Sequence, residues 1–146
     1  KRQVCLGVVS ACSGVAASGT HNVILGLRAF LDRPEFKGSR LLGIRHLVHG
    51  YEFDIESSEV QHFLNQGGSD LLPTVPMTRV NQRSLGQLVK LCQTLELDGL
   101  LFLCGPKEMT QVVKISNHFA KVLPRVPVAA VLHSLSGWVR RDDWMQ

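Results

Sequence analysis

Aromatic residues are scarce in this chain, 6% of 146, and its 16 Lys and Arg are dispersed among 12 Asp and Glu to leave a net charge of +4. Nucleic acids are gripped by concentrated basic surface, often with stacking rings set into it. Neither is concentrated along this sequence, so no nucleic-acid partner is expected. Long apolar runs are missing as well. Nothing approaches the roughly 20 consecutive apolar residues that cross a bilayer, which argues against a membrane span. Cysteine is thinly spread: Cys5, Cys12, Cys92 and Cys104 show no CxxC spacing, so neither a zinc site nor a disulfide framework is indicated. A reducing, cytoplasmic setting fits that usage. His46 and His49 stand three apart with no third ligand near them in sequence, and read as polar residues at a strand end rather than a metal centre.

What is present is the composition of a packed protein, 45% hydrophobic and 19% charged. At this length the default is one domain, residues 1–146, with a single core of ordinary size. The chain opens Lys1-Arg2-Gln3, without an initiator Met and without the layout of a signal peptide. It is expected to be a piece of something longer, with an apolar face where the remainder docks.

Strands and helices alternate. An apolar run, Val4 to Val9, gives way to the small-residue loop Ser10 to Gly19 and then to a helical pattern, Thr20 to Leu31, with Val23, Ile24, Leu27, Phe30 and Leu31 spaced for one buried face. Leu41 to Arg45 is a second strand, completing a β-α-β unit. The basic neighbourhood Arg28, Arg33, Lys37, Arg40 and Arg45 reads as a solvated face. Gly50 to Ile55 alternates polar and apolar residues. A short helix from Ser57 runs through Val60, Phe63 and Leu64 to stop near Gln66-Gly67-Gly68. Ser69 to Asn81, with Pro73 and Pro76, reads as an irregular loop. The Ser84/Gln87 spacing suggests a capping box opening a helix whose buried face includes Cys92. Leu100 to Cys104 is a continuous apolar strand, and Gly105-Pro106 opens a helix with Met109, Val112, Val113, Phe119 and Val122 facing inward. Val128 to Leu132 is the last strand, and the tail 138–146 has no trusted pattern.

This order predicts an α/β fold, a doubly wound parallel sheet in a Rossmann-like three-layer arrangement, with ligands beyond the carboxyl ends of the strands. Three segments reach that edge: Ser10 to Gly19, Cys104 to Glu108, and His133 to Gly137. Small side chains in the first let backbone amides approach an anion, and the following helix adds unsatisfied N–H groups and the positive end of its dipole. Ser13, Gly14, Gly19, Gly105 and Lys107 are therefore the candidate phosphate or donor contacts. No Asp or Glu occurs between Glu108 and Asp142. That leaves His133 as the group near the last strand able to act as a base around neutral pH.

Ser18-Gly19-Thr20-His21-Asn22-Val23-Ile24, Asn65-Gln66-Gly67-Gly68-Ser69-Asp70 and Leu95 to Gly105 resemble, in order and separation, three motifs from the N-terminal part of the phosphofructokinase family, especially its long pyrophosphate-dependent branch: P-G-G-H-N-V-I, N-Q-G-G-F-D and L-x-L-D-G-L-V-x-I-G-G. The resemblance implies phosphoryl transfer from pyrophosphate or ATP to fructose 6-phosphate, a step of glycolysis, with magnesium as the cofactor of an intact member. It also implies where the chemistry should sit. The family cradles the transferred group in the first glycine loop, holds magnesium and the donor with G-G-D-D-S or G-G-D-G-S, and draws its base from T-I-D-G-D.

This sequence departs from all three. Gly14-Val15 stands where the first loop reads G-G, Cys104-Gly105-Pro106-Lys107-Glu108 replaces the acidic segment, and His133-Ser134-Leu135-Ser136-Gly137 replaces the third, placing Leu135 at the base position. No carboxylate remains at the two magnesium positions, so no metal is expected in this segment. Three readings follow. The first is a degenerate copy with structural or regulatory duty beside a catalytic half or subunit of the same family. The second is a working phosphotransferase completed by residues elsewhere. The third is a sensor for a phosphorylated small-molecule effector.

Overall fold

The chain is described by a computed structural model over residues 3–11, 19–47, 49–66, 68–77 and 79–133. Its central strand is β1 (Cys5–Ala11), flanked by β2 (Arg40–His46) and β4 (Gly99–Cys104), with β3 (Gly50–Asp54) and β5 (Val128–Leu132) at the borders. The order is β3-β2-β1-β4-β5. β1 runs parallel to β2 and β4, and β4 parallel to β5. Among the described residues four α-helices connect them: α1 (Thr20–Leu31), α2 (Ser57–Gln61), α3 (Gln82–Thr94) and α4 (Pro106–Val122).

Right-handed crossovers that leave the central strands in opposite directions place their helices on opposite faces. One face packs Val9, Leu42, Ile44, Phe102 and Cys104 against Leu88 and Cys92 of α3 and Ile115 and Phe119 of α4. The other packs Val8, Leu41 and Leu103 against Ile24 and Leu31 of α1 and Val60 of α2. Successive strand residues therefore feed opposite layers, the period of two expected of a sheet covered on both sides. The α/β three-layer fold is as the sequence predicts.

One strand departs from the all-parallel expectation. β3 returns antiparallel to β2, with His46 opposite Gly50 and Leu42 opposite Asp54. Only three residues separate the two strands, enough for a hairpin and far short of the dozen or more that a parallel crossover needs. Gly50 carries the reversal at φ +81°, a left-handed conformation that suits glycine.

Other boundaries and burials shift from expectation for local reasons. α2 ends at Gln61 rather than continuing past Leu64, which is exposed. α3 begins at Gln82, because Asn81 rather than Ser84 is the cap: Asn81 Oδ1 accepts from the Ser84 amide at 2.9 Å, and Ser84 Oγ accepts from the Asn81 amide at 2.9 Å. Phe30 is exposed, lying against Phe36 with Arg33 over its ring, while Arg28 takes the interior position, paired with Asp32 at 3.0 Å. Arg28 thus leaves the solvated basic face to which the sequence assigned it. On α4 the inward residues include Ile115, whereas Val113 and Val122 point to solvent. The segment 69–77 is irregular, as expected, yet it packs: Leu71, Leu72 and Val75 are buried, and the Val75 amide donates to the Ser10 carbonyl at 2.7 Å. Among the described residues no strand pairs with the outer side of β5, where Ala129 and Ala130 are exposed.

Candidate functional site

Ala11, Cys104 and Leu132 stand side by side across the carboxyl ends of β1, β4 and β5. The crevice above that row is where an open α/β sheet reverses its winding and binds ligands. Of the three segments expected to meet there, the described residues show Ser10 and Ala11, then Gly19, all of Cys104 to Glu108, and His133. Ser13, Gly14, Leu135 and Gly137 lie outside the described residues.

Gly19 precedes α1 at φ +81°, a conformation costly for any residue with a Cβ, and its carbonyl accepts from the Val23 amide at 3.1 Å. Two hydroxyls flank this turn, Ser10 Oγ at the end of β1 and Thr20 Oγ1 in the first turn of α1. Both are fully buried without a hydrogen-bond partner among the described residues. A buried hydroxyl left unpaired costs about 1–3 kcal/mol, so two at one strand end call for a structural reason. His21, also buried, is committed elsewhere: its Nδ1 lies 2.8 Å from the Gln66 carbonyl.

At the neighbouring strand end Gly105 caps α4 and Pro106 takes the first helical position, where its missing N–H costs nothing. Lys107 is exposed and Glu108 is buried. The Glu108 side chain folds back over Gly105: its Oε2 lies 2.8 Å from the point a Cβ on Gly105 would occupy. The chain's own carboxylate thereby occupies the N-terminal turn of α4, where first-turn amides and the helix dipole favour negative charge. Its neighbour His133 follows β5, with its amide donating to the Cys104 carbonyl at 2.8 Å. The donor set Pro106, Lys107 and Glu108 suits a divalent cation poorly, since it offers one carboxylate, turned inward, beside an ammonium group.

The Cys5 and Cys92 thiols are not poised as nucleophiles. Burial pushes the Cys92 thiol up to about 12, with Arg125 opposing only in part, and burial likewise raises Cys5. His46 and His49 stack with ring centroids 4.6 Å apart, and the His49 amide donates to His46 Nδ1 at 3.2 Å. That engages one ring nitrogen in a local turn.

Sequence reasoning missed a cleft of about 380 Å³ between the end of β2 and the start of α3, lined by His46, Arg79, Arg83 and Gln87. The signal available was the first turn of α3, which has a basic residue and no acidic one. It also missed the burial of Glu108, which depends on a fold of the side chain that spacing does not encode.

No family model matches the chain. It is 30% identical over 118 residues to the beta 2 subunit of pyrophosphate–fructose 6-phosphate 1-phosphotransferase from Arabidopsis thaliana, a match covering 78% of this chain and 20% of that protein. Over 128 residues it is 30% identical to the alpha 1 subunit from the same plant, covering 85% and 21% respectively. Among solved structures, Pichia pastoris phosphofructokinase in the T-state superposes with a TM-score of 0.69 at 16% identity, covering 92% of this chain and 16% of that one. The chain belongs to the phosphofructokinase family. This phosphofructokinase-family chain spans about a fifth of the length of the curated relatives it matches. Among its described residues no helix is long and apolar enough to cross a membrane.

Proposed function

We propose that this segment keeps the phosphofructokinase scaffold for a structural or regulatory role beside a catalytic half or subunit of the same family, in a reducing, cytoplasmic setting, and does not itself transfer phosphoryl groups. The carrying observation is Glu108, whose buried carboxylate fills the anion-favouring end of α4. A phosphoryl donor brought to within about 5 Å of that charge would be repelled by roughly 3 kcal/mol per unit charge at an effective dielectric constant near 20. Pro106 removes one amide that a phosphate would use, and Lys107 cannot take the place of a metal-binding carboxylate. The family partner is supported by the names of the relatives, which are alpha and beta subunits. A coupled assay for fructose 1,6-bisphosphate, with pyrophosphate or ATP as donor and magnesium present, tests the reading. No turnover is expected from this segment; formation of product at tens of turnovers per second would overturn it.

A second reading has its own observation. The unpartnered Ser10 and Thr20 hydroxyls flank the small-residue loop that contains Ser13 and Gly14, and a phosphorylated effector seated there, with Gly19, would satisfy them. Thermal-shift titration with sugar phosphates, nucleotides and pyrophosphate checks it. A shift that Thr20→Val abolishes is expected, and no shift at millimolar ligand would end it.

A further inference from the structure

Outside the row formed by Ala11, Cys104 and Leu132, α3 divides a cationic surface into two clefts that share Val80 and Asn81 as a common wall. The first holds Arg79, Arg83 and His46. The second, about 560 Å³, runs between α3 and α4 and is lined by Lys114, Asn117, His118 and Lys121. Among the described residues neither cleft has an Asp or Glu in its lining. Arg79, Arg83, Lys114 and Lys121 pair with no carboxylate among the described residues, whereas Arg28 and Arg40 on the opposite side of the molecule are both paired. Both clefts thus present cations that no ion pair among the described residues neutralises.

The placement of Arg83 is the less expected part. It sits in the first turn of α3, at the positive end of the helix dipole, with no acidic residue in that turn to offset it. The Asn81 cap takes the Ser84 amide, and the first intrahelical bond runs from the Leu85 amide to the Asn81 carbonyl at 3.0 Å. The amides of Gln82 and Arg83 therefore reach the rim between the clefts with no earlier turn to bond to. In the second cleft, Lys114, His118 and Lys121 are spaced four and three apart along α4, so they line one side of the helix over about 10 Å. Two cationic clefts joined across a helix N-terminus suit an anion that is long and repeatedly charged rather than a single phosphate.

We propose that this surface binds a linear oligophosphate, a chain of phosphoryl groups that lies across the start of α3 and contacts Arg79 and Arg83 on one side and Lys114 and Lys121 on the other. The inference is independent of the effector reading built on Ser10 and Thr20, and uses neither residue.

Calorimetric titration of the full chain with orthophosphate, tripolyphosphate and long-chain polyphosphate tests it. Affinity per chain is expected to rise in that order, and to fall steeply with added salt. The double variants Arg79→Gln/Arg83→Gln and Lys114→Gln/Lys121→Gln should each weaken long-chain binding by about tenfold or more, as the loss of charge-assisted contacts implies. Arg33→Gln/Lys37→Gln, with the same change in net charge on the opposite side, should leave it unchanged. Three results would overturn the proposal: loss in only one of the two cleft variants, equal loss in the Arg33/Lys37 control, or equally tight binding of a single-stranded oligonucleotide of matched charge.

Discussion

Replacing Glu108 by Gln keeps the side chain's shape and removes its charge, which isolates the electrostatic role assigned to it. The carboxylate sits in the first turn of α4, buried and folded over Gly105. A negative charge there stabilises the helix by about 0.3–1 kcal/mol at an exposed site and up to about 2 kcal/mol in a partly buried one. The variant should therefore unfold at lower urea concentration, with a loss of about 1–2 kcal/mol and an unchanged dependence on denaturant. Its affinity for pyrophosphate should move the other way. Relief of roughly 3 kcal/mol of repulsion per donor charge held that close corresponds to about a hundredfold tighter binding for each such charge. Urea melts read by circular dichroism and calorimetric titration of both proteins give the two quantities. Lower stability with higher pyrophosphate affinity is the signature of an internal anion that excludes an external one. A stably folded variant whose pyrophosphate affinity stayed within threefold of the parent would refute the reasoning.

Phe102 is fully buried on β4 between two paired strands, and Phe102→Ala should cost about 3–5 kcal/mol in urea melts. Asn81→Ala removes the acceptor for the Ser84 amide and should cost about 1 kcal/mol, with faster hydrogen exchange confined to the first turn of α3. The Cys92 thiol ionises near 9.0 when the chain is unfolded and near 12 when folded. The folded state thus holds a proton that the unfolded state releases, and stability should fall as pH rises from about 9 toward 12. Cys92→Val should flatten that decline in melts at successive pH values.

Much of the layer structure was legible in the residues because each local preference agreed with the global arrangement. Pro106 could open a helix but not continue one, and the unbroken run Leu100 to Cys104 suited only a strand covered on both faces. The antiparallel return of β3 was less visible. Alternation from Gly50 identifies a strand, while its direction depends on how short the preceding turn is. Periodicity placed Phe30 and Val113 inside because both are apolar, but Arg28 and Ile115 hold the interior positions. Arg28 is admitted there by Asp32, four residues on, a pairing that an apolar-periodicity rule does not score. At the candidate site the same limit applies. The strand pattern sets Gly105 and Lys107 just past the end of β4, whereas the inward turn of Glu108 and the two cationic clefts depend on side-chain placement that spacing does not encode.

The two borders of the sheet are not alike. β3 bears Glu52 and Asp54, and Asp54 is clasped by Arg40, so a strand approaching from that side meets charge. β5, reading Val-Ala-Ala-Val-Leu, offers no charge and no proline to an incoming strand, and its small side chains leave the backbone within reach. Growth of this sheet is thus polar. Whatever extends it, whether a partner or an unwanted aggregate, will be admitted on one flank and turned away on the other.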